Sequence, residues 1–148
     1  MIGEIDKLHH IHDTLCHVSN VFPVDTNLTC TLTALNTANT FSNWVEIADS
    51  GATKLSTAFA TAEGHISSVL IETISEADTI YLFEISWGAA KTVILRSRFA
   101  GVTKFQAPTT LTAFRASPFP AGQLMYYRMK TASAVADTCT VHFRYHTH

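Results

Sequence analysis

The feature that most constrains the fold of this chain is an alternation of apolar and polar residues in a series of short runs. Successive side chains of a β-strand point to opposite faces, so a period of two predicts strands with one buried face. Turn residues separate the runs at intervals of about 8–15 residues, which favours antiparallel sheets over βαβ units. The predicted strands are Leu28–Leu35, Phe41–Ala48, His65–Ile74, Thr79–Trp87, Thr92–Phe99, Leu111–Phe114, Gln123–Met129 and Thr138–His146.

About eight strands in one open sheet would expose long edges, and closure into a sandwich removes that hazard. We therefore predict an all-β domain over residues 28–148, an antiparallel, jelly-roll-like β-sandwich. Residues 1–27 are predicted to form an N-terminal arm or a short helix, because apolar residues recur every three or four positions in Ile2–Val18. No run approaches the roughly 20 apolar residues that span a bilayer, so we expect no membrane partner.

Charge is distributed unevenly along the chain. Of the 12 acidic residues, all but Asp137 precede residue 91, and of the 10 basic residues, all but Lys7 and Lys54 follow residue 90. The net charge of −2 and the pI of about 6.4 argue against a nucleic-acid partner.

Strand alternation places several of the late cations on faces that point away from apolar side chains. They are the candidate interface residues, Arg96, Arg98, Arg128, Lys130 and Arg144. Two interpretations stay open. Acids of the first half, such as Glu72 and Glu84, can neutralise these cations within one subunit, or the cations can meet an acidic surface on another protein.

Eight histidines raise the question of a metal site. His9, His10 and His12 cluster near the start, while His142, His146 and His148 alternate near the end. Two residues apart on a strand share a face, so His146 and His148 could share an ion. The spacing of structural zinc sites and of cupin-like sites is absent, and we expect these histidines to lie on the surface or in interfaces, with no cofactor.

Motifs that carry known chemistries are also absent, including the Gly-x-Ser-x-Gly turn, the phosphate-binding loop and the dinucleotide fingerprint. Glu72 and Glu84 could approach each other as a carboxylate pair of the kind that glycoside hydrolases use, but nothing selects them. Cys30 and Cys139 sit in Thr-Cys-Thr triplets inside predicted strands, which predicts small buried side chains. We expect a protein that is not an enzyme.

A carbohydrate-binding β-sandwich is the alternative function. Such modules stack sugars on exposed aromatic rings, and Trp44 and Tyr126 are the candidates. Three further aromatic residues lie in the predicted strand Thr79–Trp87. Tyr81, Phe83 and Trp87 share one face of that strand and are predicted to belong to the core.

The C-terminal third resembles tailed-phage virion structural proteins. In those proteins a Pro-Ala-Gly turn leads into a strand that ends in an Arg, followed by a polar loop and a last apolar strand. Here the turn is Pro118–Gly122, the strand is Gln123–Lys130 and the last strand is Asp137–His146. Upstream, Ile80–Gly88 and Val93–Phe99 are similar to the preceding hairpin of that architecture.

The resemblance implies a jelly-roll-like domain that decorates a capsid or another particle surface, often as a trimer. The expected partners are copies of the chain and a major capsid or other particle protein, and the expected location is the virion surface after synthesis in the host cytoplasm. Arg128 matches the strand-end Arg and serves either an interface or the fold. A charged fraction of only 15% and a mean hydropathy of +0.15 also predict a surface that is partly covered by partners.

Overall fold

Nine strands pair into two antiparallel sheets in a computed structural model that describes residues 20–102, 105–110 and 117–148. The strands are β1 (Asn20–Phe22), β2 (Cys30–Thr33), β3 (Val45–Glu46), β4 (Gly64–Ile74), β5 (Ile80–Trp87), β6 (Thr92–Ala100), β7 (Phe105–Thr110), β8 (Met125–Thr131) and β9 (Thr138–Thr147). A short 3-10 helix at Leu55–Phe59 joins β3 to β4. The prediction of an all-β, antiparallel sandwich is confirmed.

The strand order is that of a jelly roll. Sheet A has the order β1–β9–β4–β7, with β2 also paired to β9, and sheet B has the order β3–β8–β5–β6. From β2 onwards the chain alternates between sheets at every connection except the β5–β6 hairpin, which stays within sheet B. This weaving between two sheets is the double-sheet jelly-roll arrangement.

β1 and β2 together fill one strand position beside β9. Phe22 pairs with Phe143 and Cys30 pairs with Val141, so the two strands run in line along the same edge of β9. The intervening residues 23–29 leave the sheet and return to it. β1 falls within the range 1–27 that was predicted as an arm or helix, and the sandwich therefore begins before residue 28. The helix candidate Ile2–Val18 lies outside the described residues.

Alternation along the strands places the core between the sheets, as the period of two predicts. β5 contributes Tyr81, Phe83 and Ile85 to this core, and all three are fully buried. β9 contributes Val141 and Phe143 from the opposite sheet. At one end, the rings of Phe59 and Phe119 meet edge to face, with centroids 4.7 Å apart. Cys30 and Cys139 are buried free thiols, in agreement with the prediction.

Among the other strands, β3 and β7 differ most from the sequence prediction. β3 spans only Val45–Glu46 of the predicted Phe41–Ala48. Residues 34–44 form an irregular connection between β2 and β3. β7 includes Ala107 and Pro108, which were expected to form a break between strands. Because β7 lies at the edge of sheet A, one side of its backbone needs no partner, and proline is tolerated there. The predicted strand Leu111–Phe114 lies outside the described residues.

Candidate functional site

The outer face of sheet B carries two cross-strand rows of side chains at its centre. Direct pairing of β6, β5 and β8 aligns Arg96, Glu84 and Arg128 in the first row. The same register aligns Arg98, Leu82 and Lys130 in the second row. Residues two positions apart on a strand point to the same face, so the rows are neighbours about 7 Å apart. Four of the five candidate interface cations are therefore together.

The first row is an ion-paired triad. Glu84 is nearly fully buried, and its carboxylate accepts a hydrogen bond from Arg96 Nε at 2.8 Å and one from Arg128 Nε at 2.6 Å. Charge-assisted hydrogen bonds of this length are strong. Intramolecular neutralisation, one of the two interpretations of the sequence, thus holds for Arg96 and Arg128.

Aromatic rings of the irregular β2–β3 connection cover Arg128. Its guanidinium carbon lies 4.3 Å from the ring centroid of Phe41 and 4.5 Å from that of Trp44. Cation–π contacts at this distance are attractive, and they hold the connection against the sheet. With Glu84 on one side and two rings on another, Arg128 is primarily a residue of the fold, with 31% of its side chain exposed.

The second row has a leucine where the first has a carboxylate. Arg98 and Lys130 flank Leu82, and no carboxylate of the described residues lies within 4.0 Å of either cation. Lys130 Nζ lies 4.6 Å from the Phe41 ring centroid, and this contact brings no negative charge to it. The outer face of sheet B therefore has excess positive charge at this row.

A pocket of about 190 Å³ opens at the second row. Its lining residues come from β5, β6, β8 and the two connections beside them; they are Asn39, Ile80, Leu82, Arg98, Lys130, Thr131 and Ala132. Ile80, which is half exposed, and Leu82 give the pocket an apolar floor. Arg98, Lys130 and the amide of Asn39 lie around it. We name this feature the Arg98–Lys130 pocket.

Arg144, the fifth candidate interface residue, lies elsewhere. It is exposed on the outer face of sheet A, on β9, and the sandwich separates it from the other four cations. On the same face of sheet A, Glu72 Oε1 lies 3.0 Å from His142 Nδ1. Glu72 and Glu84 belong to opposite sheets, so the hypothetical hydrolase pair is not brought together.

The two candidate glycan-binding aromatics are half-buried, and each has a cation over its ring. Arg128 lies over Trp44, and Lys91 Nζ lies 3.3 Å from the ring centroid of Tyr126. Lys91 is held there by the β5–β6 turn, where Gly88 adopts a φ of +73°. One face of each ring is therefore already occupied within the protein.

His146 and His148 meet His65 at the outer face of sheet A. His65 Nδ1 and His148 Nε2 are 3.2 Å apart, and the ring centroids of His65 and His146 are 4.8 Å apart. Within the described ranges, no group of three or more His, Cys, Asp or Glu residues has the geometry of a metal site. His9, His10 and His12 lie outside those ranges.

Burial makes the two described thiols poor nucleophiles. Desolvation raises the pKa of Cys30 to about 12, with smaller contributions from the charges of Asp49 and Glu72. Desolvation also raises the pKa of Cys139 to about 12. Since the thiolate is the reactive form, both residues are inert near neutral pH.

Several residues of the pocket and of the aromatic cover were not found by sequence reasoning, namely Asn39, Phe41, Ile80, Leu82 and Lys91. A signal for two of them was present. The run Ile80–Phe83 is continuously apolar, and an unbroken run indicates a strand that is covered on both faces. The other three lie in connections, where strand alternation does not indicate position: it misassigned Phe41 to a strand and left Asn39 and Lys91 outside the predicted strands.

Comparisons of the chain with protein-family models, with curated proteins and with solved structures find no match. In the part of the chain that the structure describes, no helix has the length and apolar character needed to cross a bilayer.

Proposed function

We propose that this protein is a non-enzymatic structural component of a phage or phage-like particle, which decorates the particle surface by binding copies of itself and a lattice protein. The observation that carries the proposal is the outer face of sheet B. There a rigid sheet presents Arg98 and Lys130 around an open pocket, with no described carboxylate to neutralise them. Uncompensated cations on a preorganised surface favour recognition of an acidic partner.

The chemistry of the buried groups supports binding over catalysis. The pKa of both Cys30 and Cys139 is raised by burial, which removes them as nucleophiles. Both carboxylate oxygens of Glu84 are engaged by arginines, so this buried acid serves as their counterion. The jelly-roll fold itself hosts capsid, lectin and enzyme domains, so it is compatible with this role without implying it.

Self-association is supported by exposed apolar residues at one end of the sandwich. Leu35, Val102 and Val135 are exposed in the β2–β3, β6–β7 and β8–β9 connections, which all lie at this end. The Arg98–Lys130 pocket opens at the same end, since Asn39 and Ala132 belong to two of these connections. Apolar exposure beside a charged rim is typical of association surfaces.

Light scattering after size-exclusion chromatography tests the proposal. We expect a closed oligomer, with a trimer of three times the 16.2 kDa chain mass favoured. Val135→Glu should lower the mass, whereas Val24→Glu, a control at an exposed valine in the 23–29 excursion, should not. A mass of one chain for the unchanged protein over a wide concentration range would overturn the self-association part of the proposal.

A carbohydrate-binding module is the second candidate, and the half-exposed rings of Trp44 and Tyr126 favour it. The cations already stacked on them weaken it, since a sugar needs a free ring face. A glycan-array screen separates the two candidates. Binding that is lost in Trp44→Ala and Tyr126→Ala, in a protein with the mass of one chain, would replace the assembly proposal with this one.

A further inference from the structure

The two rows on the outer face of sheet B differ at one central residue. In both rows a β6 arginine and a β8 cation flank a β5 residue. In the first row that residue is Glu84, and its two oxygens bind Arg96 and Arg128. In the second row it is Leu82, and the flanking Arg98 and Lys130 have no such bridge among the described residues.

The first row shows how one carboxylate satisfies two cations at this spacing. β6 and β8 lie on either side of β5, so the backbones that carry the cations are about 10 Å apart in both rows. Long side chains reach inward over β5 from both sides, and a single carboxylate above its centre accepts from both. A carboxylate placed above Leu82 would take the equivalent position between Arg98 and Lys130.

The space for that carboxylate is present as the Arg98–Lys130 pocket. Its volume of about 190 Å³ accommodates one amino-acid side chain, and its apolar floor of Ile80 and Leu82 suits methylene groups. Among its lining residues only Asn39 adds a further polar side chain, because Thr131 is buried and donates its hydroxyl to Asp137, and none is an aromatic residue or an acid. A sugar ring, with hydroxyl groups all round it, would find few partners there.

We infer that the Arg98–Lys130 pocket binds the carboxylate side chain of an acidic segment on a partner protein. This inference rests on the proposed assembly function and specifies what the partner protein presents. The partner inserts a glutamate whose methylenes contact Leu82 and whose carboxylate oxygens bind Arg98 and Lys130. The pair of cations sets the specificity for a carboxylate, because binding any neutral side chain would bury both charges without a counterion.

Amide NMR titration of the full chain with a blocked peptide that contains one central glutamate tests the inference. We expect shift changes centred on Leu82, Thr131 and Ala132, and none with the same peptide carrying glutamine. Lys130→Gln should weaken binding by about tenfold or more, as loss of a charge-assisted hydrogen bond implies. Arg144→Gln, which removes an exposed cation from sheet A, is the matched control and should change nothing.

Three results would overturn the inference: equal shifts with the glutamate and glutamine peptides, equal weakening in Arg144→Gln and Lys130→Gln, or shifts at these residues with N-acetylneuraminic acid but not with the glutamate peptide. The last result would assign the pocket to a carboxylated sugar. Arg98→Gln, at an exposed residue, provides a second variant if Lys130→Gln disturbs the contact with Phe41. Solution mass is measured independently, so an oligomer without peptide binding refutes the pocket alone, and peptide binding by a monomer refutes self-association alone.

Discussion

Glu84 Oε2 accepts a hydrogen bond of 2.6 Å from Nε of Arg128, a residue 44 positions later in the chain. The bond crosses from β5 to β8 on the outer face of sheet B, and the carboxylate that accepts it has only 5% of its side chain exposed. A buried carboxylate is costly unless it is paired, and here two arginines pair it. The Glu84–Arg128 ion pair thus stabilises sheet B directly beside the row of residues that is proposed to bind partners.

Glu84→Gln should destabilise the protein strongly, because it leaves two guanidinium groups without their counterion. Breaking a buried ion pair costs about 3–5 kcal/mol, and we expect the lower end because 61% of the Arg96 side chain is exposed. Urea unfolding measures the difference. Glu72→Gln is the matched control, since it removes a carboxylate that is 41% exposed and should cost less than about 1 kcal/mol. Equal losses in the two variants would contradict a structural role for Glu84.

Arg128→Glu and Arg144→Glu should have different effects although both residues were candidates for the same interface. The first change brings a second carboxylate against buried Glu84 and removes the contacts with Phe41 and Trp44, so the melting temperature should fall sharply. The second lies on an exposed strand face and should change stability by less than about 0.5 kcal/mol. Thermal melts decide this, and a folded, fully stable Arg128→Glu protein would show that the triad is dispensable.

The buried thiols should resist modification. In a Cys16→Ser protein, whose cysteines are then Cys30 and Cys139, we expect no reaction with a disulfide reagent at pH 8 in the native state and reaction of both thiols in urea. The thiolate is scarce because burial raises the pKa of both groups to about 12. Rapid reaction of the native protein would show that the pairing of β2 with β9 opens and exposes the thiols.

The same thiols predict a loss of stability at high pH. The unfolded pKa is 9.0 and the folded pKa is about 12, so below pH 9.0 the thiols are protonated in both states and contribute no pH dependence. Between pH 9.0 and about 12 only the unfolded thiols ionise, and the free energy of unfolding falls as pH rises. Urea midpoints at pH 8 and pH 10 should differ less in a Cys30→Ala, Cys139→Ala protein, and an unchanged difference would refute this origin.

Gly64→Ala should disturb the core at the start of β4. A Cβ at this position would overlap the ring of Phe59, which is fully buried and packed against Phe119 and Tyr145. Overpacking of this kind costs about 1–3 kcal/mol. Gly51→Ala is the control and should cost less, because its Cβ would lie 3.1 Å from the flexible end of Leu28 and 3.3 Å from Asp49 Oδ1, without the overlap seen at Gly64. Chemical unfolding of both proteins provides the comparison.

The sequence predicts most of the sandwich because strand alternation is a local property. The predicted Thr79–Trp87 and Thr92–Phe99 differ from β5 and β6 by one residue at one end, since the inner face of β5 is apolar and that of β6 is apolar except for Ser97. β1 is only three residues long and shows no period of its own. β7 contains Pro108, which normally ends a strand and is tolerated here by its position at a sheet edge. Edge position is a property of the whole fold and is not visible locally.

The candidate site could be predicted only in part, because it depends on register between distant strands. Alternation alone places Arg128 and Lys130 on one face of β8, but it does not show that Arg128 is level with Glu84 while Lys130 is level with Leu82. That one register decides which cation is neutralised and which stays available. Arg144 was grouped with the four cations of sheet B for a related reason. Alternation does not reveal which sheet a strand joins, and β9 joins sheet A.

β9 is the last strand along the chain, yet it lies inside sheet A, between β4 and the in-line strands β1 and β2. As the chain emerges from the ribosome, β2 and β4 therefore appear long before the strand that joins them. The β5–β6 hairpin of sheet B can form early from neighbouring residues, whereas β1, β2 and one edge of β4 in sheet A have no partner until residues 138–147 are present. Until those residues leave the exit tunnel, the nascent sandwich exposes unpaired strand edges, which are open to pairing with other chains.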